Sequence, residues 1–395
     1  MNDLEIINRK NKLFVNDIKK NENKISDFIE NSNFLILGGA GSIGRAVVKE
    51  IFKRKPKKIH VIDISENNLV ELVRDIRSDF GYISGDFKTF ALDIESVEYD
   101  SFIENDGVYD YVLNFSALKH VRSEKDPYTL MRMIRVNILN TIKTIEQSIN
   151  SGVKKYFCVS TDKAANPVNL MGASKRIMEL FLIKYSKSIT ISTARFANVA
   201  FSDGSLLQSF KMRFYKKQPI VGPSNVKRYF VTEKEAGELC LMSSLFGKDS
   251  EIFFPKLDED KHMIKFDLIA KNFLNHHGFD VYNCNSEEEA RSFFKNEFSK
   301  NKWPCFFSKS NTTGEKLHEE FYMDNEIIEY KKFEDIGVVK NTLNADDIAL
   351  ETFLKMFQEL TIKKQWKKIE IIKLFKYLLP DFSHIELNKS LDSKM

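Results

Sequence analysis

The sequence is poor in the residues that build disulfide frameworks and metal sites. Its four cysteines lie far apart and form no CxxC pair, at Cys158, Cys240, Cys284 and Cys305. We therefore expect neither a zinc centre nor disulfides, and we interpret all four as reduced thiols. The adjacent His276 and His277 lack a third ligand at metal spacing, so the sequence predicts no metal site there.

Long apolar runs and an excess of one charge are also missing. No run approaches the roughly 20 apolar residues of a membrane-spanning helix, and residues 1–24 lack the apolar stretch of a signal peptide. The 60 basic and 56 acidic residues are interleaved and leave a formal net charge of +4. We therefore expect a cytoplasmic protein without a membrane span, and we exclude nucleic acid as its main ligand.

What the sequence does contain is a regular alternation of strand and helix patterns over residues 33–200. Short apolar runs such as NFLIL and KIHVID alternate with amphipathic segments such as IGRAVVKEIF. This alternation predicts an α/β fold with a Rossmann-type, doubly wound parallel sheet. Three further regions are expected: a helical extension over 1–32, a smaller mixed lobe over 201–330, and a C-terminal helical extension over 331–395.

A glycine-rich turn follows the first of these strands. Gly38, Gly41 and Gly44 form a GxxGxxG pattern, with Ser42 and Ile43 between the last two, at the start of a predicted helix. Glycine there permits a tight turn and lets backbone N–H groups approach a pyrophosphate, which the positive end of the helix also favours. An ordinary glycine-rich turn is the alternative, but the strand-turn-helix context favours a dinucleotide site.

Residues at the ends of the following strands extend this predicted site. Asp63 ends the second strand, where a carboxylate accepts hydrogen bonds from a ribose 2′-hydroxyl and repels a 2′-phosphate, so we predict NAD over NADP. The alternative is that Asp63 only caps the following helix. Asp93 and Ile94 follow the third strand and are expected near the adenine. Ser116 and Ala117 follow the fourth strand and are expected near the nicotinamide.

A cluster of reactive residues follows the fifth strand, in the stretch STDKAANPVNLMGASK. Thr161, Asp162 and Lys163 lie at the carboxyl edge of the predicted sheet, where doubly wound folds bind their ligands. Met171 and Lys175 are four residues apart on the next helix and therefore face the same side. We interpret these five residues as a catalytic group, and a solvated loop pair is the alternative for Asp162 and Lys163.

Five stretches of the chain are typical of one enzyme family. They are LGGAGSIG, SALKHVRSEKDPY, VNILNT, STDKAANPVNLMGASKR and GEKLHEEF, and the resemblance that they carry covers residues 34–321. They resemble the extended short-chain dehydrogenase/reductase superfamily, and more narrowly its polysaccharide-biosynthesis UDP-N-acetylglucosamine 4,6-dehydratases. The resemblance implies conversion of UDP-N-acetylglucosamine to a UDP-4-keto-6-deoxy sugar, for surface polysaccharide synthesis. It also implies a tightly bound NAD that is regenerated in each turnover, a UDP-sugar bound by the 201–330 lobe, and a homo-oligomer.

The resemblance further implies a role for members of the catalytic group. Thr161 would bond near the C4 oxygen, and Asp162 would act as the acid toward the C6 oxygen. Lys163 would take the C5 proton, and Lys175 would hold the nicotinamide ribose. To act as a base near neutral pH, Lys163 needs a pKa several units below its ordinary value, which burial and the second cation Lys175 would both favour.

Met171 stands where the superfamily commonly has a catalytic tyrosine, and a thioether cannot accept a proton. Members of the same dehydratase family resemble this chain in carrying methionine there. We therefore interpret Met171 as a subfamily trait and assign the proton to Lys175, Thr161 or a bound water. Two other functions stay open: a nucleotide-sugar C4 epimerase, which needs no Asp-Lys pair, and a non-catalytic NAD-binding scaffold that has lost the tyrosine.

Five residues outside this group are candidates for substrate binding. Lys119 and His120 follow the fourth strand, and a packed or capping histidine is the alternative for His120. By resemblance, Asn198 contacts the nucleotide diphosphate, Arg228 faces the diphosphate or the uridine, and Glu315 lies in a turn near the uridine ribose. Surface ion pairs are the alternative for the segments that carry Asn198 and Arg228.

Overall fold

The computed structural model describes residues 3–296, 301–310, 319–340 and 345–384. The strands in these ranges are β1 (Asn33–Leu37), β2 (Lys58–Asp63), β3 (Asp86–Ala91), β4 (Tyr111–Asn114), β5 (Lys155–Val159), β6 (Thr190–Ala194), β7 (Asn198–Val199), β8 (Ile220–Pro223), β9 (Lys227–Val231), β10 (Glu251–Pro255), β11 (Met263–Lys265), β12 (Asp280–Asn283), β13 (Lys302–Ser308), β14 (Ile327–Glu329) and β15 (Ile336–Lys340).

The α-helices in the same ranges are α1 (Asp3–Ile6), α2 (Val15–Glu30), α3 (Ser42–Phe52), α4 (Glu66–Phe80), α5 (Val97–Asn105), α6 (Pro127–Ile134), α7 (Asn140–Asn150), α8 (Leu170–Tyr185), α9 (Leu206–Tyr215), α10 (Glu233–Phe246), α11 (Glu259–His262), α12 (Phe266–His276), α13 (Glu287–Asn296), α14 (Asp347–Lys363) and α15 (Lys368–Leu378). A π-helical turn, Arg135–Leu139, joins α6 to α7, and short 3₁₀ turns lie at Val121–Glu124 and Asp162–Ala164.

One nine-stranded sheet organises the protein. Its strands lie in the order β14-β15-β10-β6-β5-β4-β1-β2-β3, and neighbouring strands from β10 to β3 are parallel. β15 and β14 add an antiparallel edge beyond β10. The direction of the strand order reverses between β1 and β4, where doubly wound sheets bind their ligands. The predicted α/β fold with a doubly wound parallel sheet is thereby confirmed.

The central strands are continuous apolar runs because helices cover both faces of the sheet. On one face, Val47 and Ile51 of α3 are fully buried in the same cluster as Phe34 of β1. On the opposite face, Leu35 of β1 shares a cluster with Met178 of α8. Both faces are therefore occupied by core packing, which leaves the loops at the strand ends to form a site.

Two three-stranded sheets, β11-β9-β7 and β12-β13-β8, form a smaller lobe. Its apolar core includes Phe210, Phe273 and Trp303. Other segments beyond position 200 belong to the large sheet: β10, β14 and β15 are strands of it, and α10 packs against α3. Residues beyond position 200 therefore contribute to both parts of the molecule.

The N-terminal segment connects these two parts. Leu4 of α1 lies in the core of the smaller lobe, whereas Ile25 of α2 lies in the core of the large sheet. Between the two helices, Arg9 forms a buried ion pair with Glu235 of α10. Residues 3–30 are therefore an integral part of the packing.

The C-terminal helices α14 and α15 pack on helices that cover one face of the large sheet. α15 lies against α6 and α8, and α14 reaches α8 through a contact between the rings of Phe353 and Phe181. Both helices occupy the segments whose apolar periodicity predicted them. Among the described residues, no helix combines the length and the apolar character that crossing a membrane requires.

A buried ion network fixes the ends of β5 and β6. Arg195, which is fully buried, donates two hydrogen bonds to Glu179 of α8, at 2.8 and 2.7 Å, and two to Glu326, at 2.8 and 2.9 Å. Glu179 also accepts hydrogen bonds from Ser160, at 2.7 Å, and from Arg176, at 3.0 Å. Burial alone would raise the pKa of Glu179, but the charge and hydrogen bonds of Arg195 hold it at about 2.

We predict that Arg195→Ala destabilises the protein by about 3–5 kcal/mol, because it leaves two carboxylates buried beside an empty volume. Urea unfolding of the parent and the variant measures the difference. The depressed pKa of Glu179 means that the stabilisation is present at neutral pH and is lost only as the pH falls toward about 2. The contribution of this network to the stability of the parent should therefore not change between pH 6 and pH 8.

The matched control is Arg74→Ala, which breaks the ion pair that Arg74 forms with Glu71 on the exposed surface of α4. A loss below about 1 kcal/mol is expected for that variant. Equal losses for the two variants would show that the buried network does not stabilise the fold more than a surface pair does.

Candidate active site

The glycine-rich turn between β1 and α3 lies directly against the end of β4. Gly38 has a φ of +66°, and a Cβ at this position would lie 2.6 Å from the backbone nitrogen of Ser116. A Cβ at Gly44 would lie 2.4 Å from the carbonyl oxygen of Gly38. Any side chain at these two positions would therefore force the turn apart, which explains the choice of glycine. The turn leads directly into the positive end of α3, as a pyrophosphate site requires.

A cavity of about 650 Å³ opens beside this turn and extends along the ends of β1, β2, β3 and β4. Of the residues predicted to bind the cofactor, those that line it are Gly38, Gly41, Asp63, Asp93, Ile94, Ser116 and Ala117. The size of the cavity, its glycine floor and the carboxylates at its wall fit a dinucleotide. These residues therefore line one continuous cavity, and the individual role of each remains a prediction.

Asp63 lines the cavity and also bonds to the backbone on either side of it, and its predicted contact with the ribose stays a prediction. Its Oδ2 accepts a hydrogen bond from the backbone N–H of Ala40, at 3.0 Å, and its Oδ1 accepts one from Ser65, at 2.9 Å. Ser65 caps α4 by accepting from the N–H of Asn68. Asp63 thus braces two turns while it lines the cavity.

Three residues of the glycine-rich turn that were predicted to bind the cofactor do not line the cavity. Ser42 exchanges hydrogen bonds with Asp203 of the smaller lobe, at 3.0 and 2.9 Å. Ile43 packs at the edge of the large apolar core, and Gly44 lies against the turn. Ser42 therefore joins the glycine-rich turn to the smaller lobe.

The predicted catalytic turn lies at the carboxyl end of β5, beside the β4 end that lines the cavity. The hydroxyl of Thr161 donates to Oδ1 of Asp162, at 2.7 Å, and Nζ of Lys163 lies 3.1 Å from the same oxygen. Asp162 is buried, whereas Lys163 is partly exposed. The turn thus holds a close Asp-Lys pair, of which Lys163 is the member that reaches solvent.

The expectation that the pKa of Lys163 falls is wrong. Burial by itself lowers this pKa, but the carboxylates of Asp162 and Glu319 outweigh it, so the pKa lies above its ordinary value. The neighbouring cation is Arg228 and not Lys175. In this arrangement Lys163 is an ammonium group held against a carboxylate.

Lys175 and Met171 lie deeper than the catalytic turn. Nζ of Lys175 is buried and donates to the carbonyl of Val159, at 3.0 Å, and burial lowers its pKa. Met171 is buried in an apolar cluster with residues of α6 and the C-terminal helices, and its backbone N–H donates to Glu124, at 2.8 Å. Neither side chain lines the cavity, so their predicted roles stay predictions.

Asn198 and Arg228 meet at a residue to which sequence analysis gave no role. Glu319 is buried and accepts a hydrogen bond from the side chain of Asn198, at 2.6 Å, and one from the N–H of Tyr229, at 2.8 Å. Nε of Arg228 lies 3.5 Å from the same carboxylate. The only sequence signal was that Glu319 belongs to the GEKLHEEF stretch.

Glu319 also interacts with the Asp-Lys pair. Burial and the charge of Asp162 raise the pKa of Glu319 to about 7, against the opposing charges of Lys163 and Arg228. The site therefore holds two carboxylates and two cations, and one of the carboxylates titrates near neutral pH. Such a perturbed group in a cluster of charges is typical of a functional site.

The remaining substrate candidates lie on the other side of the site. His120 packs against Gly204 of the smaller lobe, where a Cβ would lie 2.5 Å from its ring. Partial desolvation, Lys119 and Arg122 lower the pKa of His120, and desolvation also lowers that of Lys119. Glu315 lies outside the described residues. Within the described ranges, no group of three or more His, Cys, Asp or Glu residues is placed to hold a metal ion.

Comparison with known proteins places these features in a family. The model of the family described as polysaccharide biosynthesis protein matches residues 34–341. An uncharacterized membrane protein of Methanocaldococcus jannaschii is 30% identical over 80% of this chain and 87% of that protein. A UDP-N-acetylglucosamine 4,6-dehydratase (inverting) of Campylobacter jejuni is 30% identical over 58% of this chain and 68% of that protein. The chain spans about half the length of two other curated relatives, both polysaccharide biosynthesis proteins.

The fold is shared with solved structures. Pen from Bacillus thuringiensis superimposes with a TM-score of 0.64 at 23% identity, over 80% of this chain and 90% of that protein. This likeness confirms the fold, and the family match confirms the resemblance that the five sequence stretches indicated. The chain belongs to the polysaccharide biosynthesis protein family of the extended short-chain dehydrogenase/reductase superfamily.

Proposed function

We propose that this protein is a nucleotide-sugar 4,6-dehydratase that uses NAD and converts UDP-N-acetylglucosamine to a UDP-4-keto-6-deoxy-N-acetylhexosamine in the cytoplasm. The observation that carries the proposal is the Asp162–Lys163 pair, 3.1 Å apart, in the turn after β5, the strand beside β4 whose end lines the cavity. Loss of water across C5 and C6 needs one group that takes a proton and one that gives a proton. A C4 epimerase needs no such pair, and the relative in Campylobacter jejuni is named as a dehydratase.

The residues of the cavity would bind and orient the cofactor. Gly38, Gly41 and the first turn of α3 would receive the pyrophosphate, and Asp63 would receive the adenosine ribose. A bound NAD would supply hydride chemistry, with removal from C4 and return at C6. Oxidation at C4 also releases the C4 hydroxyl proton, for which Thr161, Lys175 or a bound water would be the acceptor. The ketone formed at C4 makes the C5 proton acidic, which is what allows a protein side chain to remove it.

The Asp-Lys pair would then exchange two protons with the sugar. If Asp162 starts protonated and Lys163 starts neutral, Lys163 takes the C5 proton, while Asp162 protonates the departing C6 hydroxyl and water leaves. The pair ends as a carboxylate and an ammonium, which is the ion pair that the raised pKa of Lys163 favours. Hydride return at C6 leaves an enolate, which takes a proton at C5 from the Lys163 ammonium, and the proton released from the C4 hydroxyl would restore the protonated Asp162, which lies 3.1 Å from Lys163.

Glu319 would control how readily Lys163 takes and gives back the C5 proton. As a carboxylate it raises the pKa of Lys163, and as a neutral acid it removes one of the two negative charges that hold the proton on Lys163. Asn198 and Arg228, which both contact Glu319, would bind the diphosphate. A diphosphate there adds negative charge beside Glu319, so substrate binding favours its protonated form.

The first experiment incubates the purified protein with UDP-N-acetylglucosamine in deuterated water, with and without added NAD. We predict a product that has lost one water and carries deuterium at C5, detected by mass spectrometry and proton NMR. Lys163→Ala should abolish the loss of water but keep bound NAD. The matched control is Lys154→Ala, which removes an ion-paired lysine at the other end of β5 and should remain active.

Each other product points to another function. An isomer of unchanged mass would replace the dehydratase by an epimerase. Bound NAD without turnover of any nucleotide sugar would favour the non-catalytic scaffold. Dehydration that survives in Lys163→Ala would remove Lys163 from the role of base.

We also predict that UDP binds more weakly as the pH rises through the pKa of Glu319, which burial raises to about 7. Above that pH the carboxylate is charged, competes for Arg228 and repels the diphosphate. The dissociation constant should rise about tenfold between pH 6.5 and pH 8.5, by an interaction of one pKa unit. Isothermal titration calorimetry at three pH values measures it.

The variant Glu319→Gln should remove most of this pH dependence, because its neutral amide does not titrate. The titration of UDP itself is common to both proteins and cancels in the comparison. Glu320→Gln is the matched control, since Glu320 is exposed and contacts Asn166 instead. An unchanged pH dependence in Glu319→Gln would show that Glu319 does not face the diphosphate.

A further inference from the structure

One wall of the dinucleotide cavity comes from outside the matched family region. The cavity is lined by Asp63 and Asp93 on the side of β2 and β3, and by Arg132 of α6 on the facing side. Trp366 lines the same cavity, although it lies beyond residues 34–341. The C-terminal extension therefore reaches the site that we assign to the cofactor.

Trp366 is held in this position by contacts on two sides. It lies in the short connection between α14 and α15, and its indole N–H donates to the carbonyl of Leu360, at 2.6 Å. Its ring packs edge-on against Tyr128 of α6, with 5.9 Å between the ring centroids. The half-buried indole thus has a fixed orientation at the rim of the cavity.

The helices on either side of Trp366 are anchored in the core. Phe353 of α14 and Leu374 and Phe375 of α15 are buried in one cluster with Leu130 and Ile134 of α6. Because α6 also supplies part of the cavity wall, the extension and the wall are packed as one unit. Trp366 is therefore a fixed part of this wall and not a loose end of the chain.

We propose that Trp366 covers the adenosine part of the bound dinucleotide and so slows its release. The residues that line the cavity with it include Asp63, Asp93 and Ile94, which are expected at the adenosine, and Ser116 and Ala117, which are expected near the nicotinamide. The catalytic turn toward which the nicotinamide must point does not line this cavity, so we assign Trp366 to the adenosine end. An indole offers a large apolar face to a purine and excludes water from it at little cost in side-chain entropy. A cofactor that is regenerated in each turnover need not leave, so a cover at this end would keep it bound between cycles. This inference rests on the proposed use of NAD.

The chain has two tryptophans, Trp303 and Trp366, and of these two only Trp366 lines the cavity. This difference allows a direct test. Trp303 is 2% exposed, stacks on Phe214 in the smaller lobe and does not line the cavity. Trp303→Phe therefore leaves Trp366 as the single fluorescent reporter, and Trp366→Phe leaves Trp303. The ligand is ADP-ribose, which contains the adenosine end of the cofactor but no nicotinamide and does not absorb the emission of tryptophan.

We predict that ADP-ribose changes the emission of the Trp303→Phe protein and protects it from quenching by acrylamide. The emission of the Trp366→Phe protein should stay the same when ADP-ribose binds. Binding itself is measured in both proteins by calorimetry, after removal of any nucleotide that was purified with them. This measurement leaves Trp366 in place and so does not depend on how the fold tolerates its loss.

The second measurement is affinity. Trp366→Ala should raise the dissociation constant of ADP-ribose about tenfold, the loss expected for one aromatic contact with its buried area, and Trp366→Phe should raise it less. Tyr377→Ala is the matched control, because Tyr377 is a partly exposed aromatic residue on α15 that does not line the cavity. Its affinity should equal that of the parent.

The outcomes separate this inference from the proposed function. If the parent binds neither ADP-ribose nor NAD, the proposed cofactor fails and the inference fails with it. If the parent binds ADP-ribose while Trp366 keeps its emission and its acrylamide quenching, the inference alone is overturned. An unchanged affinity of a folded Trp366→Ala protein, checked by circular dichroism, would also overturn it.

Discussion

The buried contact between Arg195 and two carboxylates is the interaction on which the site depends. Arg195 directly follows β6, Glu179 lies on α8 and Glu326 lies in the segment that follows Glu319. Ser160, which precedes the catalytic turn, bonds to the same Glu179. The strand, the helix and the segment that bring the reactive groups together are thus joined through one guanidinium. A single buried cation with two satisfied partners fixes their relative position better than apolar packing would, because its hydrogen bonds are directional.

Above this network, the site balances charges instead of isolating one base. Asp162, Lys163, Glu319 and Arg228 form a group of two acids and two cations whose protonation states depend on one another. A charged lysine buried without carboxylate neighbours would lose its hydration with no compensating interaction. Here the charge of Lys163 is balanced by the carboxylates of Asp162 and Glu319.

Sequence reasoning found what depends on local pattern. Strand and helix periodicity, the turn at Gly38 and the positions of Asp63 and Lys163 at strand ends all follow from nearby residues. The error about the pKa of Lys163 arose because the sequence does not show that Asp162 pairs with Lys163 at 3.1 Å, and because the second carboxylate, Glu319, lies far along the chain and only the fold brings it close. Trp366 was missed for the same reason, since its helices show only the apolar stripe of packing. No spacing rule connects either residue to the site.

The N-terminal and C-terminal helices separate two ideas that often coincide, the unit of homology and the unit of folding. The family match covers residues 34–341. Yet Ile25 of α2 belongs to the core of the large sheet, and Phe353 of α14 belongs to the core around α6 and α8. A chain cut at the limits of the match would expose apolar faces on both sides. The region shared with the family is therefore smaller than the packed core of this chain, and apolar side chains from the two flanking segments complete that core.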